Sequence, residues 1–220
     1  MTAGGATVRP VRAEELDAVA ALHRRAFPAY ASTGLGQGYC RRLLRAYADR
    51  PDSWVDVAVD PTGRIAGYLV GAPPAAQHAV DRSLLPWAVA NAWRQPAEVG
   101  RNARRAASRL AGLARRRAEV AKGTAPPEPE VRTDAVRSEG PAATVRVVLV
   151  AVDAAARGQG TADALLAAFA RTARERGHQA ADLSVAPDNA AAHRAYERNG
   201  WVADDAGAHF RLDLSGPAAP

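Results

Sequence analysis

Apolar and polar positions change their spacing several times along this chain, and each change marks an element. Thr7 to Val11 alternates, which predicts an extended strand; from Leu16 the apolar residues recur as Leu16, Val19, Leu22 and Phe27, the spacing of one helix face. A second helix is expected across Gly38 to Ala48, with Leu43, Leu44 and Tyr47 inward. Val55, Val57 and Val59 then alternate, Asp60-Pro61-Thr62-Gly63 turns the chain, and the alternation resumes from Ile65 to Val70. Two alternating runs around such a turn predict an antiparallel hairpin.

Between Pro73 and Pro141 the pattern is different. Trp87 and Trp93 fall on a short helical stretch, and Val99, Ala103, Ala106, Leu110 and Leu113 follow in steps of four and three, an apolar stripe on a helix otherwise rich in arginine. The proline-rich run "KGTAPPEPEV" ends it and reads as a linker. Thr144 to Val152, "TVRVVLVAV", is almost continuously apolar and β-branched, which suits a central strand buried on both faces. A glycine turn follows, then a helix from about Thr161 to Arg176 with Gly177 after its end. "QAADLSVA" predicts a strand, "PDNAAAHRAYERNG" a short helix and "HFRLDL" a last strand. No internal repeat is present.

Composition narrows the possibilities. A chain of 220 residues can bury a full core as one domain spanning 1–220, with residues 73–141 as an inserted basic lobe and linker. The single cysteine, Cys40, excludes an internal disulfide framework and any site needing several thiolates, and no metal is expected. "MTAGGATVRP" has neither a basic nor an apolar targeting segment, and no run of 18 apolar residues occurs, so a cytoplasmic protein without a membrane span is expected. The net charge is +6, but Arg94 to Lys122 holds nine basic residues against Glu98 and Glu119. The rest of the chain is near neutral. The charge therefore belongs to one segment, and with few aromatics interleaved there, no nucleic-acid partner is expected. The arginines read first as a solvated face, and the stripe as packed on the domain or on a second copy in a homodimer.

The candidate chemistry starts at "AARGQGTADALL", Ala155 to Leu166. Strand, glycine turn and helix together aim backbone N–H groups and a helix N-terminus at one point, an anion site by geometry. A dinucleotide fingerprint is excluded because Asp163 stands where a third small residue is needed, and a P-loop because no Gly-Lys-Ser/Thr follows. The same turn also serves as an ordinary strand-to-helix connection.

At these residues the chain resembles the GNAT superfamily of acyl-CoA-dependent N-acyltransferases. Arg157-Gly158-Gln159-Gly160-Thr161-Ala162 fits the family's Arg/Gln-x-x-Gly-x-Gly/Ala loop, and "VAVDAAARGQG" is similar to its strand-four ending, with alanine at 154 and 156 where Pro and Tyr are usual. "VAPDNAAAHRAYERNGW" is similar to a second family segment, with Asn189, Ala192, Tyr196, Gly200 and Trp201 in the corresponding places. The resemblance covers roughly residues 6–72 and 144–214.

The resemblance implies an α/β (α+β) fold, a mixed and mostly antiparallel sheet splayed between strands four and five and flanked by helices. It implies acetyl-CoA as acyl donor, with the pyrophosphate on the amides of residues 157–162 and the pantetheine arm along Val150 and Val152 and against Asn189. Tyr196 matches the family's general acid, which protonates the departing thiolate. Beside these stand plainer roles: Tyr196 as a packing residue, Asn189 as a helix cap, Arg157 as a solvated charge and His193 as a surface residue. No residue identifies itself as the base for the acceptor amine; Asp182, Ser184 and Glu139 lie nearby without a motif. The expected activity is acetyl transfer to a primary amine of a small molecule. The alternatives are a protein or peptide acceptor docked by the basic insert, and a non-catalytic acyl-CoA-binding module.

Overall fold

The computed structural model describes residues 5–92 and 144–216. The alternating segments form strands β1 (Thr7–Pro10), β2 (Trp54–Val59), β3 (Ile65–Ala72), β4 (Thr144–Val152), β5 (Ala180–Ser184), β6 (Val202–Ala203) and β7 (His209–Asp213). The helically spaced ones form α1 (Leu16–Ala26), α2 (Ala31–Gly34), α3 (Gln37–Ala48), α4 (Pro74–Ala92), α5 (Thr161–Glu175) and α6 (Ala190–Arg198). All seven strands join one sheet in the order β1-β2-β3-β4-β5-β7-β6, antiparallel throughout except for the parallel pair β4–β5.

The stretch around Trp87 is the end of a 19-residue helix, longer than its sequence suggested. Ala76, Val80 and Leu84 recur every fourth residue on α4 and are buried, but the apolar neighbours Ala75, Ala79 and Leu85 blur the stripe. Trp93, the stripe from Val99 to Leu113, the proline-rich run and Glu139 lie outside the described residues.

Helices cover the sheet in two layers. On one face α5 packs Leu165, Leu166, Phe169 and Ala173 against Trp54, Leu69, Val145 and Leu183, and this core runs on to Tyr196, Trp201 and Phe210. On the other, Val19, Leu22, Leu44 and Tyr47 of α1 and α3 join Val80 of α4 against Val57, Tyr68 and Val70. Glycine sets how closely α5 approaches: a Cβ at Gly71 would lie 2.5 Å from the Trp54 ring, and one at Gly67 would lie 2.9 Å from the Ala151 carbonyl and 3.0 Å from Leu165. Any side chain at these two places would push the helix layer off the sheet.

The sheet is not continuous along β4. Only Thr144–Arg146 pair with Ala180–Asp182 of β5; beyond Arg146 the strand pairs with β3 alone. The break coincides with a bulge, since Val70 faces Leu149 while Gly71 faces Val147, leaving Val148 as the extra residue. A bulge bends and twists its strand, so β4 turns away from β5 there. For this reason Val148, Leu149, Val150 and Val152 are half-buried, where the apolar run predicted burial on both faces.

Candidate active site

The glycine turn and the gap between β4 and β5 meet at the start of α5. Gly158 and Gly160 both have positive φ, at 73° and 75°, a backbone region that glycine enters without strain. A Cβ at Gly158 would meet nothing within 4 Å, so the protein itself leaves that side of the loop open. Gly160 is the N-cap of α5 and no side chain caps the helix. No hydrogen bond among the described residues uses the N–H groups of Gly158 to Asp163. Six consecutive donors with no acceptor, at the positive end of a 15-residue helix, form a cradle for an anion.

Side chains fix the loop from behind. Gln159 Nε2 donates to the Ala155 carbonyl at 2.9 Å, and the buried Thr161 hydroxyl donates to the Ala156 carbonyl at 3.3 Å. Asp153 accepts from the Ala155 N–H and pairs with Arg25 of α1 at 2.8 Å; these partners hold its carboxyl below the ordinary range. Arg157 is exposed and makes no ion pair among the described residues. Ala162 lies half-buried in the first turn of α5.

Asp163, the residue that excluded a dinucleotide loop, ties α5 to α6. Its carboxylate accepts from Asn199 Nδ2 at 2.7 Å and from Arg198 at 3.2 Å. No sequence pattern marked this clamp. Its consequence is that the cradle and the helix bearing Tyr196 are held as one unit.

On α6, Asn189 is the N-cap: its Oδ1 accepts from the Ala192 N–H at 3.2 Å, while the side chain stays exposed. Tyr196 is buried with its ring 5.3 Å from Phe210 and 6.2 Å from Trp201. Burial pushes its phenol up to about 12, and the phenol of Tyr30 adds to the shift. His193 is half-buried at the surface, packed edge-to-face on Phe210 at 5.2 Å and bonded to the Ala186 carbonyl. Val150 and Val152 line β4 where β5 has diverged, both packed toward the α5 face.

The opposite face presents other groups. Phe27 and Tyr30 stack at 4.6 Å in the segment joining α1 to α2. Beneath them His23, wholly buried, lies 2.6 Å from the Tyr68 hydroxyl through Nδ1 and 3.0 Å from the Ser32 hydroxyl through Nε2. Burial lowers the imidazole to about 4, so it is neutral and serves as a pin between α1, β3 and α2. Asp182, considered for a base, instead takes a two-pronged bond from Arg146 at 2.6 and 2.8 Å. That ion pair staples the last paired residues of β4 and β5. Ser184 lies 2.9 Å from His209 Nδ1 at the end of β5.

Comparison with known proteins agrees with this geometry. The model of the acetyltransferase (GNAT) family matches residues 127–201. No curated protein sequence matches the chain. Among solved structures, the chain is similar to a GCN5-related N-acetyltransferase from Kribbella flavida (TM-score 0.58, 16% identity, 96% of this chain and 99% of that one). It is similar also to yncA from Salmonella typhimurium, solved with its cofactor acetyl-CoA (TM-score 0.57, 15% identity, 98% of each chain). A third is an N-acetyltransferase from Staphylococcus aureus Mu50 (TM-score 0.54, 14% identity, 95% and 98%). At these identities the likeness is one of fold. The family match spans the loop and the α6 segment, and the fold is the one these N-acetyltransferase structures share.

Proposed function

We propose that the protein transfers an acetyl group from acetyl-CoA to a primary amine of a small-molecule acceptor, by direct attack of the amine on the thioester. The observation that carries this reading is the run of six uncommitted N–H donors from Gly158 to Asp163, set beside a strand edge from which β5 has withdrawn. The residues suit coenzyme A: Arg157 and the amides of Gly158, Gln159, Gly160, Thr161 and Ala162 would hold the pyrophosphate. The free edge of β4 at Val150 and Val152 offers strand-like hydrogen bonds to the amides of the pantetheine arm, and the exposed Asn189 side chain at the start of α6 would meet the same arm.

The chemistry follows from charge. A tetrahedral intermediate carries an oxyanion, and a backbone N–H on the free β4 edge would stabilise it by about 3 kcal/mol if well aimed. The departing thiolate needs a donor, and Tyr196 is the candidate. A phenol near 12 is a weaker acid than an ordinary thiol at about 8.5. Tyr196 would therefore act chiefly as a neutral hydrogen-bond donor to the sulfur as charge develops. The lone buried thiol of Cys40 suits a reducing compartment such as the cytoplasm.

Thermal unfolding with and without acetyl-CoA tests the reading, with adenosine diphosphate as the control. Ligand at about 100 times its dissociation constant is expected to add about 2.7 kcal/mol, a rise of several degrees in Tm, with a much smaller rise for adenosine diphosphate. Equal small shifts with both would reduce the cradle to a general anion site. An amine panel with free-thiol detection then finds the acceptor.

A further inference from the structure

We infer that His209, oriented by Ser184, is the base that takes the proton from the acceptor amine. The inference rests on the acetyl-transfer reading above. Ser184 is the last residue of β5 and pairs in register with His209 of β7, and their side chains meet at 2.9 Å between Oγ and Nδ1. Both residues are exposed. Ala181, Leu183, Phe210 and Leu212 face the α5 core, so the alternating positions Asp182, Ser184, His209 and Arg211 point to the other face. Tyr196 belongs to the α5 side. The pair thus sits on the α1 face at the end of β5, the strand that bounds the gap, while the Tyr196 ring packs in the α5 core.

The competing groups are committed elsewhere. Asp182 is held by Arg146, one row nearer the closed end of the gap. Both nitrogens of His23 are bonded in the core. His193 is bonded to Ala186 and packs on the α5 face. Asp204 accepts the N–H groups of Ala208 and His209, which anchors the backbone under the imidazole without occupying its ring. If Nδ1–H donates to Ser184 Oγ, the lone pair of Nε2 faces outward, and among the described residues no partner meets Nε2. The charged groups around the pair are Arg211 beside His209, Asp182 and its partner Arg146, and Asp204 at the turn.

The protons balance. The ammonium passes one proton to Nε2 of His209; the free amine nitrogen bonds to the thioester carbon, and the carbonyl becomes an oxyanion. As the oxyanion collapses the carbon–sulfur bond breaks with its electron pair on sulfur, which accepts a hydrogen bond from Tyr196 and takes its proton from solvent. The second proton of the former amine passes to solvent, and His209 sheds its proton to water.

The test compares two nucleophiles with acetyl-CoA as donor: the best alkyl amine from a panel headed by cadaverine, tyramine and spermidine, which is protonated near pH 7, and hydroxylamine, which is not. For His209→Gln, kcat/KM for the alkyl amine is expected to fall about 10²-fold or more. The acid limb of its pH profile should flatten, while the enzyme-dependent rate with hydroxylamine falls no more than about threefold. Ser184→Ala is expected to lose about tenfold with the alkyl amine only. Both variants should keep the thermal shift with acetyl-CoA. Equal losses with both nucleophiles, or an unchanged alkyl-amine rate and profile, would overturn the assignment. If wild-type protein binds acetyl-CoA but acetylates no amine, the acetyl-transfer reading itself fails and the base falls with it.

Discussion

The two faces of the sheet are built by different means. The α5 face makes its anion cradle from backbone, within one stretch of six residues, and welds it to α6 through the single carboxylate of Asp163. The α1 face is assembled from side chains far apart in the chain: His23 with Ser32 and Tyr68, and Ser184 with His209. Among the described residues each face also buries one acid-range titratable group, and the two have opposite character. Asp56, beside Trp54 and Ala58 on the α5 side, is raised by burial to about 6, while His23 on the α1 side is lowered to about 4. A face that recognises through backbone tolerates changes in most side chains but not in local conformation. A face that recognises through side chains reverses those sensitivities.

The largest expected effect comes from breaking conformation on the α5 face. Gly160→Val places a β-branched residue at φ 75° and a side chain among the donors. Acetyl-CoA affinity by titration calorimetry is expected to drop about 10²-fold or more, roughly 3 kcal/mol.

Next is the pair of buried ionisable groups. In the window from about 4 to 6.5 the unfolded chain holds the His23 proton and the folded protein does not, so this residue makes stability rise with pH. For Asp56, between about 3.8 and 6, the folded protein holds the proton, so stability falls as pH rises. Each contribution amounts to at most about 3 kcal/mol, and the two largely cancel. Urea unfolding of Asp56→Asn should therefore expose a positive slope between pH 4 and 6.5, and His23→Gln a negative one. Parallel curves for both variants would show that neither group titrates as its burial demands.

Asp182→Asn sharpens the contrast between the two ends of the β4–β5 pair. It removes the charge from a half-buried, two-pronged ion pair at the closed end. Stability is expected to fall by about 1–2 kcal/mol, less than for a fully buried pair, with a matching rise in hydrogen exchange at Thr144–Arg146. The smallest effect is assigned to Tyr196→Phe. A neutral donor to the leaving sulfur predicts about a tenfold drop in kcat, with acetyl-CoA affinity unchanged. An unchanged kcat would make Tyr196 a packing residue alone, and a loss of affinity would make its hydroxyl a ligand contact.

The sequence was most informative where recognition is local. Periodicity placed α1, α3, the β2–β3 hairpin, β4 and α5, because each is long and regular, and the loop from Arg157 to Ala162 was legible since its glycines serve the turn itself. Short elements were harder: β6 has two residues, and the five residues of β5 are held by pairing with β7, a contact no local pattern encodes. The bulge at Val148 was hidden in a uniformly apolar run. On the α1 face the partners are separated by 9, 25 and 45 residues, so nothing in a window of sequence links them. Asn189 shows the remaining ambiguity, because a cap and a ligand contact call for the same residue at the same place.

The most direct test of the central claim follows the backbone amides themselves. In a ¹⁵N-labelled sample titrated with acetyl-CoA, the amide signals of Gly158 to Asp163 and those of the free β4 edge from Val148 to Val152 are expected to shift together, with one dissociation constant. Saturable binding that leaves the Gly158–Asp163 amides unmoved would contradict the account.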